Sequence, residues 1–123
     1  MKLRLKPGRE KSLLRRHPWV FSGAIGALSG SPASGDTVEV CAADGRFLAW
    51  AAYSPQSQIR ARVWSFDERD RPGPELLCSR IEQALALRRA LAPQDATRQT
   101  RQDAALRLVH GEADRLTGFI VDR

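Results

Sequence analysis

Two apolar-rich runs, Thr37-Val-Glu-Val-Cys41 and Phe47 to Tyr53, flank a short stretch that contains Asp44-Gly45. Asp-Gly between such runs is a strong short-range signal for a β-hairpin, because the positive φ of a tight turn is least strained at glycine. An isolated hairpin is marginal in water, so neighbouring segments must add strands to it. Leu3-Arg-Leu-Lys6 alternates with period two and is stopped by Pro7-Gly8, and Trp19-Val-Phe21 reads as a further strand. Residues 58–66 alternate as well, with Ile59, Ala61 and Val63 on one face and Arg60, Arg62 and Trp64 on the other. The Gly/Ser/Pro-rich segment from Gly26 to Gly35 reads as a loop. So many short strands in the first half of the chain predict a small barrel.

Helical text interrupts the strands twice. A short helix is expected from about Arg9 to Arg16, ended by Pro18, whose ring disfavours helical geometry at His17. At 100° per residue Leu13, Leu14 and Glu10 share one side, while Arg9, Lys11, Arg15 and Arg16 share the opposite arc, so this helix should dock by two leucines and show water its cations. Asp67 to Pro74 is a charged, Pro/Gly-bearing stretch suited to a domain boundary. A second helix is expected from about Glu75 to Leu91, its Leu76, Leu77, Ile81, Ala84, Leu85, Leu87 and Leu91 spanning half its circumference. Arg80 and Arg88 interrupt that apolar arc, and because an unpaired buried charge is costly, at least one should meet a carboxylate of the terminal segment, Glu112 or Asp114. Residues 94–103 read as a polar linker, and Leu106 to Val109 with Phe119 to Val121 as a terminal hairpin.

Charge is distributed unevenly. Residues 1–17 hold seven basic side chains against one acid, Glu10, and account for the whole net charge of +6; beyond them thirteen basic residues balance thirteen acidic ones. An excess confined to one short segment is a footprint for a polyanion rather than a general aid to solubility. Arginine outnumbers lysine 17 to 3, and its planar fork suits phosphate. Trp19, Trp50, Trp64 and Tyr53 supply rings that could stack on bases or fill the barrel.

Catalytic signals are sparse. The chain has no Gly-rich strand-to-helix loop of the dinucleotide or P-loop type. His17 and His110 lie away from any metal-ligand spacing, and Cys41 and Cys78 read as small packing residues. Glu112 and Asp114 read as turn carboxylates that cap or pair with arginine. The charged first seventeen residues are unlike a secretory signal, the longest apolar run, Phe47 to Tyr53, is far short of a membrane span, and two cysteines make no disulfide framework, so a cytoplasmic chain with no membrane partner is expected.

Residues 8–24, GREKSLLRRHPWVFSGA, and 53–64, YSPQSQIRARVW, closely resemble the amino-terminal PUA domain of bacterial S-adenosylmethionine-dependent methyltransferases that modify carbon 5 of cytosine in 23S ribosomal RNA. Residues 107–123, RLVHGEADRLTGFIVDR, are similar to the opening of that family's central hairpin domain, with His110, Arg115 and Thr117 where the family usually carries Asn, Gly and Pro. The resemblance implies a mixed α+β, mainly β fold: a PUA-like small pseudobarrel over residues 1–68, a linker and linking helix over 69–103, and over 104–123 a terminal β-hairpin, the truncated start of the hairpin domain. It implies ribosomal RNA as partner, with Arg9, Lys11, Arg15, Arg16, His17, Arg60 and Arg62 as the RNA-binding candidates. The catalytic domain of the family would lie beyond Arg123, so no catalytic, metal or cofactor-binding residue is expected here, S-adenosylmethionine belongs to the parent family, and this chain alone should be inactive.

Three readings follow: the RNA-recognition portion of such an enzyme, able to dock onto its methyltransferase domain; a stand-alone PUA-like RNA-binding module; and an interaction module that uses the helix of residues 75–91. The oligomeric state is not legible in the sequence.

Overall fold

A computed structural model describes residues 1–91 and 106–123; the expected linker at 94–103 lies outside the described residues. The chain divides into two compact units, Met1–Gly73 and Pro74–Arg123.

The first unit is a six-stranded sheet of β1 (Lys2–Leu5), β2 (Trp19–Phe21), β3 (Ile25–Ser29), β4 (Thr37–Cys41), β5 (Phe47–Tyr53) and β6 (Ile59–Ser65). Their order is β2-β6-β5-β4-β1-β3. All neighbours are antiparallel except β1 and β4, which run parallel, with Leu3 opposite Val40. Period-two alternation directs Leu3 and Leu5, Val38 and Val40, Ala49, Ala51 and Tyr53, and Ala61 and Val63 into one buried cluster. The small alanines of β5 and β6 leave room for Leu13, which reaches into that cluster from α1 (Lys11–Leu14).

Two expectations need correcting in this unit. The segment read as a loop from Gly26 contains β3, which pairs with β1 from Lys2↔Ser29 to Leu5↔Ile25. It is a mostly exposed edge strand and so lacks the buried alternation by which strands are recognised. The first helix is a single turn, and it docks by Leu13 alone, since Leu14 is 56% exposed. The hairpin expected about Asp44-Gly45 is present with the expected strands: Gly45 N–H donates to the Ala42 carbonyl (3.0 Å) and Ala42 N–H to the Arg46 carbonyl (2.9 Å), with Gly45 at φ +90°.

The second unit packs α2 (Pro74–Leu91) against a two-stranded antiparallel hairpin, β7 (Arg107–His110) and β8 (Ile120–Asp122). Ala84, Val109 and Leu116 are its buried centre, flanked by Leu77 and Ile81. The apolar arc expected on this helix is only partly used: the stripe Leu77, Arg80, Ile81, Ala84 and Arg88 turns inward, whereas Leu87 and Leu91 are exposed. Cys78, read as a packing residue, is exposed too.

Both arginines of the stripe are satisfied. Arg88 donates to both oxygens of Asp114 (2.8 and 2.6 Å), as expected, and the two side chains are only 16% and 6% exposed. Burial alone would raise the Asp114 pKa, but the His110 backbone N–H (2.7 Å) and the Arg88 guanidinium together hold it below the usual carboxylate value. Arg80, buried, donates to the Arg115 carbonyl (2.7 Å). Arg115, where the resembled family usually has glycine, adopts a left-handed φ of +57° at the end of the 3-10 turn Gly111–Asp114. Thr117, in place of that family's proline, uses its hydroxyl to donate to Glu112 (3.1 Å). Glu112 and Asp114 are thus turn carboxylates with structural partners.

Candidate RNA-binding interface

The first unit carries twelve basic against seven acidic side chains, or +5 of the total +6. Its acids are not spread among the basic candidates. Glu39 pairs with Lys2 (2.9 Å), and Asp67 pairs with Arg69 (2.9 Å), whose hydrogen bonds pull the Asp67 pKa down to about 2. Glu10, the one acid among residues 1–17, is half-buried with one oxygen enclosed. Arg9, Lys11 and Arg15 are exposed and make no ion pair among the described residues.

The end of α1 fixes the next two candidates. Arg16 N–H donates to the Leu13 carbonyl (2.9 Å) and His17 N–H to the Ser12 carbonyl (3.0 Å). These are the paired bonds of a Schellman cap, whose turning residue is ordinarily glycine. Here it is Arg16, at φ +63°. A side chain in that conformation costs about 1–2 kcal/mol, and the guanidinium recovers part of it by lying over the Phe66 ring, 5.0 Å from its centroid. Arg16 is consequently a held cation rather than a free one, and it does not simply point away from the leucines.

From His17 the chain enters β2 and brings rings and cations together. His17 meets Trp19 edge-on at 5.6 Å, and Trp19 meets Phe21 edge-on at 6.4 Å. The His17 Nδ1 accepts the Trp19 backbone N–H (3.3 Å), which leaves Nε2 as the ring's donor. Trp19 stands opposite Arg62 in the β2/β6 ladder, and the next pair, Val20 and Ala61, is buried, so Trp19 and Arg62 share the outer face. Arg60, two residues along β6, lies on that face as well. His17, Arg60 and Arg62 therefore lie with Trp19 and Phe21 about β2 and β6, Arg16 sits apart from them over Phe66, and Arg9, Lys11 and Arg15 lie on and beside α1. Phe21 is 49% exposed at the sheet edge.

Several residues of this surface carry little signal in sequence. Arg46, Phe47 and Phe66 line a cavity of about 200 Å³ with Leu13, Leu14, Arg16 and Leu48. Only the pairing of β4, β5 and β6 and the seat of α1 bring these positions together. The Phe47 and Trp50 ring centroids are 5.5 Å apart, and Trp50 also lies under the Arg71 guanidinium and donates its indole N–H to the Glu68 carbonyl (2.9 Å). Cys41 is buried beside Glu39, and burial with that carboxylate raises its pKa to about 11, so it is a packing thiol and no nucleophile at neutral pH. The connection from β6 to α2 holds a single glycine, Gly73, and Asp67 takes the Arg69 backbone N–H (3.0 Å) there, so these residues do not fit the cradle of N–H groups that an S-adenosylmethionine loop would need. Among the described residues no helix is long and apolar enough to cross a membrane.

A basic-ended pseudobarrel with a single-turn helix before its second strand is a PUA-like architecture, and the family described as "PUA-like domain" matches residues 3–66. The chain belongs to that family. It is 46% identical over its whole length to Ribosomal RNA large subunit methyltransferase I of Erwinia tasmaniensis and 45% identical to the protein of that name from Escherichia coli O1:K1, spanning about 30% of the length of each. The fold is shared with a Streptococcus mutans protein described as a SAM-dependent methyltransferase, at TM-score 0.74 and 19% identity, covering 99% of this chain and 30% of that one. A second solved structure, a methyltransferase-class protein complexed with SAH, aligns at TM-score 0.75 and 18% identity over the same shares.

Proposed function

We propose that this chain is the RNA-recognition portion of a ribosomal RNA cytosine-C5 methyltransferase that works in the cytoplasm, and that Arg9, Lys11, Arg15, Arg16, His17, Arg60 and Arg62 contact the RNA. The observation that carries this reading is the presence on and beside α1, β2 and β6 of edge-packed rings and of cations that make no ion pair among the described residues. Cations follow the phosphates of the backbone, and rings stack on bases that are not paired. The names of the relatives agree with it, and methyl transfer itself is assigned to the part of such proteins that this chain does not span.

The test is a salt titration of binding of the full chain to a 23S ribosomal RNA fragment. Four to six phosphate contacts give a slope of log affinity against log salt of roughly −3 to −4. The triple reversal Arg9→Glu, Lys11→Glu, Arg15→Glu should flatten that slope and lower affinity by more than about tenfold. Arg16 is left in place because it stacks on Phe66 and closes the helix cap. A variant that melts like the wild type and binds with unchanged slope would refute the reading.

A second proposal concerns protein contact. In the second unit Leu87, Leu91, Phe119, Ile120 and Val121 are all more than 40% exposed, which favours docking onto a methyltransferase domain. Charge substitution at Leu91 and Ile120 should then lower the affinity of this chain for a separately expressed methyltransferase domain; unchanged affinity would dismiss the docking.

A further inference from the structure

We infer that the cavity between α1 and the ends of β5 and β6 receives one unstacked nucleobase of the bound RNA, with Arg16 and Arg46 holding the phosphates on either side of it. The inference rests on the RNA-recognition reading above and goes further, since it assigns a pocket that accepts a base only when that base is out of a helix.

The lining has the chemistry that such a ligand needs. Phe47 and Phe66 offer aromatic surface, Leu13 and Leu48 form an apolar floor, and Leu14 stands at the rim, 56% exposed. An exposed leucine on a single-turn helix otherwise packed by its neighbour Leu13 has no role in the core. The two charged lining residues are both arginines, so positive charge and aromatic surface stand side by side in an open concavity, as the phosphate and base of a nucleotide require. At about 200 Å³ the space far exceeds the roughly 10–15 Å³ that a single water needs and is on the scale of one six-membered ring with its substituents.

Each arginine is placed for phosphate. Arg46 follows the Asp44-Gly45 turn, is exposed, and its guanidinium has no ion pair among the described residues. Arg16 is held over Phe66, on the rim, by a backbone conformation that glycine would adopt with less strain. Retaining a long cationic side chain at that cap position places a charge where the chain geometry alone favours none. Double-stranded RNA cannot fill such a pocket because its bases are stacked and their faces inaccessible.

The experiment compares the full chain binding two RNA hairpins that differ only in one bulged pyrimidine. Wild type should prefer the bulged RNA by about fivefold or more, the lower end of what one stacked base contributes. Phe47→Leu, which keeps apolar volume and removes the ring, and Arg46→Gln, at an exposed turn position, should each reduce that preference, with melting curves as the folding control. Arg60→Gln with Arg62→Gln should weaken both RNAs in parallel and keep the preference. Equal binding of the two RNAs, or a preference that survives both pocket variants, overturns the pocket while leaving the RNA-recognition reading intact. Failure to bind either RNA overturns both.

Discussion

Replacing Asp114 by alanine tests how the second unit is held together. The substitution removes a carboxylate that is 6% exposed from a bidentate contact with Arg88, itself 16% exposed, and also removes the acceptor of the His110 N–H. The backbone group belongs to an exposed residue and can turn to water, so most of the cost lies in the guanidinium left without its partner. Breaking a buried pair costs about 3–5 kcal/mol, and the partial exposure of Arg88 puts this one at about 3. A unit the size of Pro74–Arg123 has a total stability of roughly 2.5–7.5 kcal/mol by the usual allowance per residue. Asp114→Ala should therefore remove a large share of it. The two units can be read separately: Trp19, Trp50 and Trp64 all lie in the first, so tryptophan fluorescence follows that unit, while helical circular dichroism is dominated by α2. In urea the dichroism transition should move to much lower denaturant and the fluorescence transition should stay. The double substitution Arg88→Met, Asp114→Leu should recover most of the loss, because the apolar pair leaves no charge stranded. A loss below about 1 kcal/mol for Asp114→Ala, the figure for a solvated surface pair, would refute the reasoning.

The same pair predicts a pH dependence. The folded-state pKa of Asp114 is depressed, so its contribution is present above the unfolded carboxylate value near 3.8 and is lost as pH falls through the lower folded value; acid titration below about pH 4 should melt α2, and a midpoint unaffected by Asp114→Asn would contradict this. Arg115→Gly should be neutral or stabilising by up to about 1 kcal/mol, since it relieves the left-handed φ of +57° while keeping the carbonyl that Arg80 uses, whereas Arg115→Val should destabilise by at least as much; chemical denaturation distinguishes them. Gly45→Ala should cost about 1–2 kcal/mol in the first unit, all of it from φ +90° because no atom lies within 4 Å of the added methyl group, and a thermal shift too small to see would argue that the turn relaxes.

Local rules carried much of this fold. Period-two patterns placed β1 and β6 with the inward residues of β6, apolar runs placed β2, β4 and β5, and glycine chemistry placed the hairpin at Asp44-Gly45. The clustering of cations before Pro18 was plain from residue order, and so was the need of Arg80 and Arg88 for partners within an apolar arc. What one-dimensional pattern does not contain is which surfaces meet. β3 is a strand because β1 offers it an edge, α1 is cut to one turn by its cap at Arg16, and of the two leucines only Leu13 enters the buried cluster while Leu14 faces outward. Leu13 to Arg16, Arg46 to Leu48 and Phe66 come from three separate segments that carry no shared motif, so their meeting around one cavity is decided by strand register and the seat of α1. Sequence alone determined the strands other than β3 and the charge; long-range pairing decided β3 and where that charge finds rings and a pocket, because side-chain proximity between distant segments is set by backbone hydrogen bonds that no local pattern encodes.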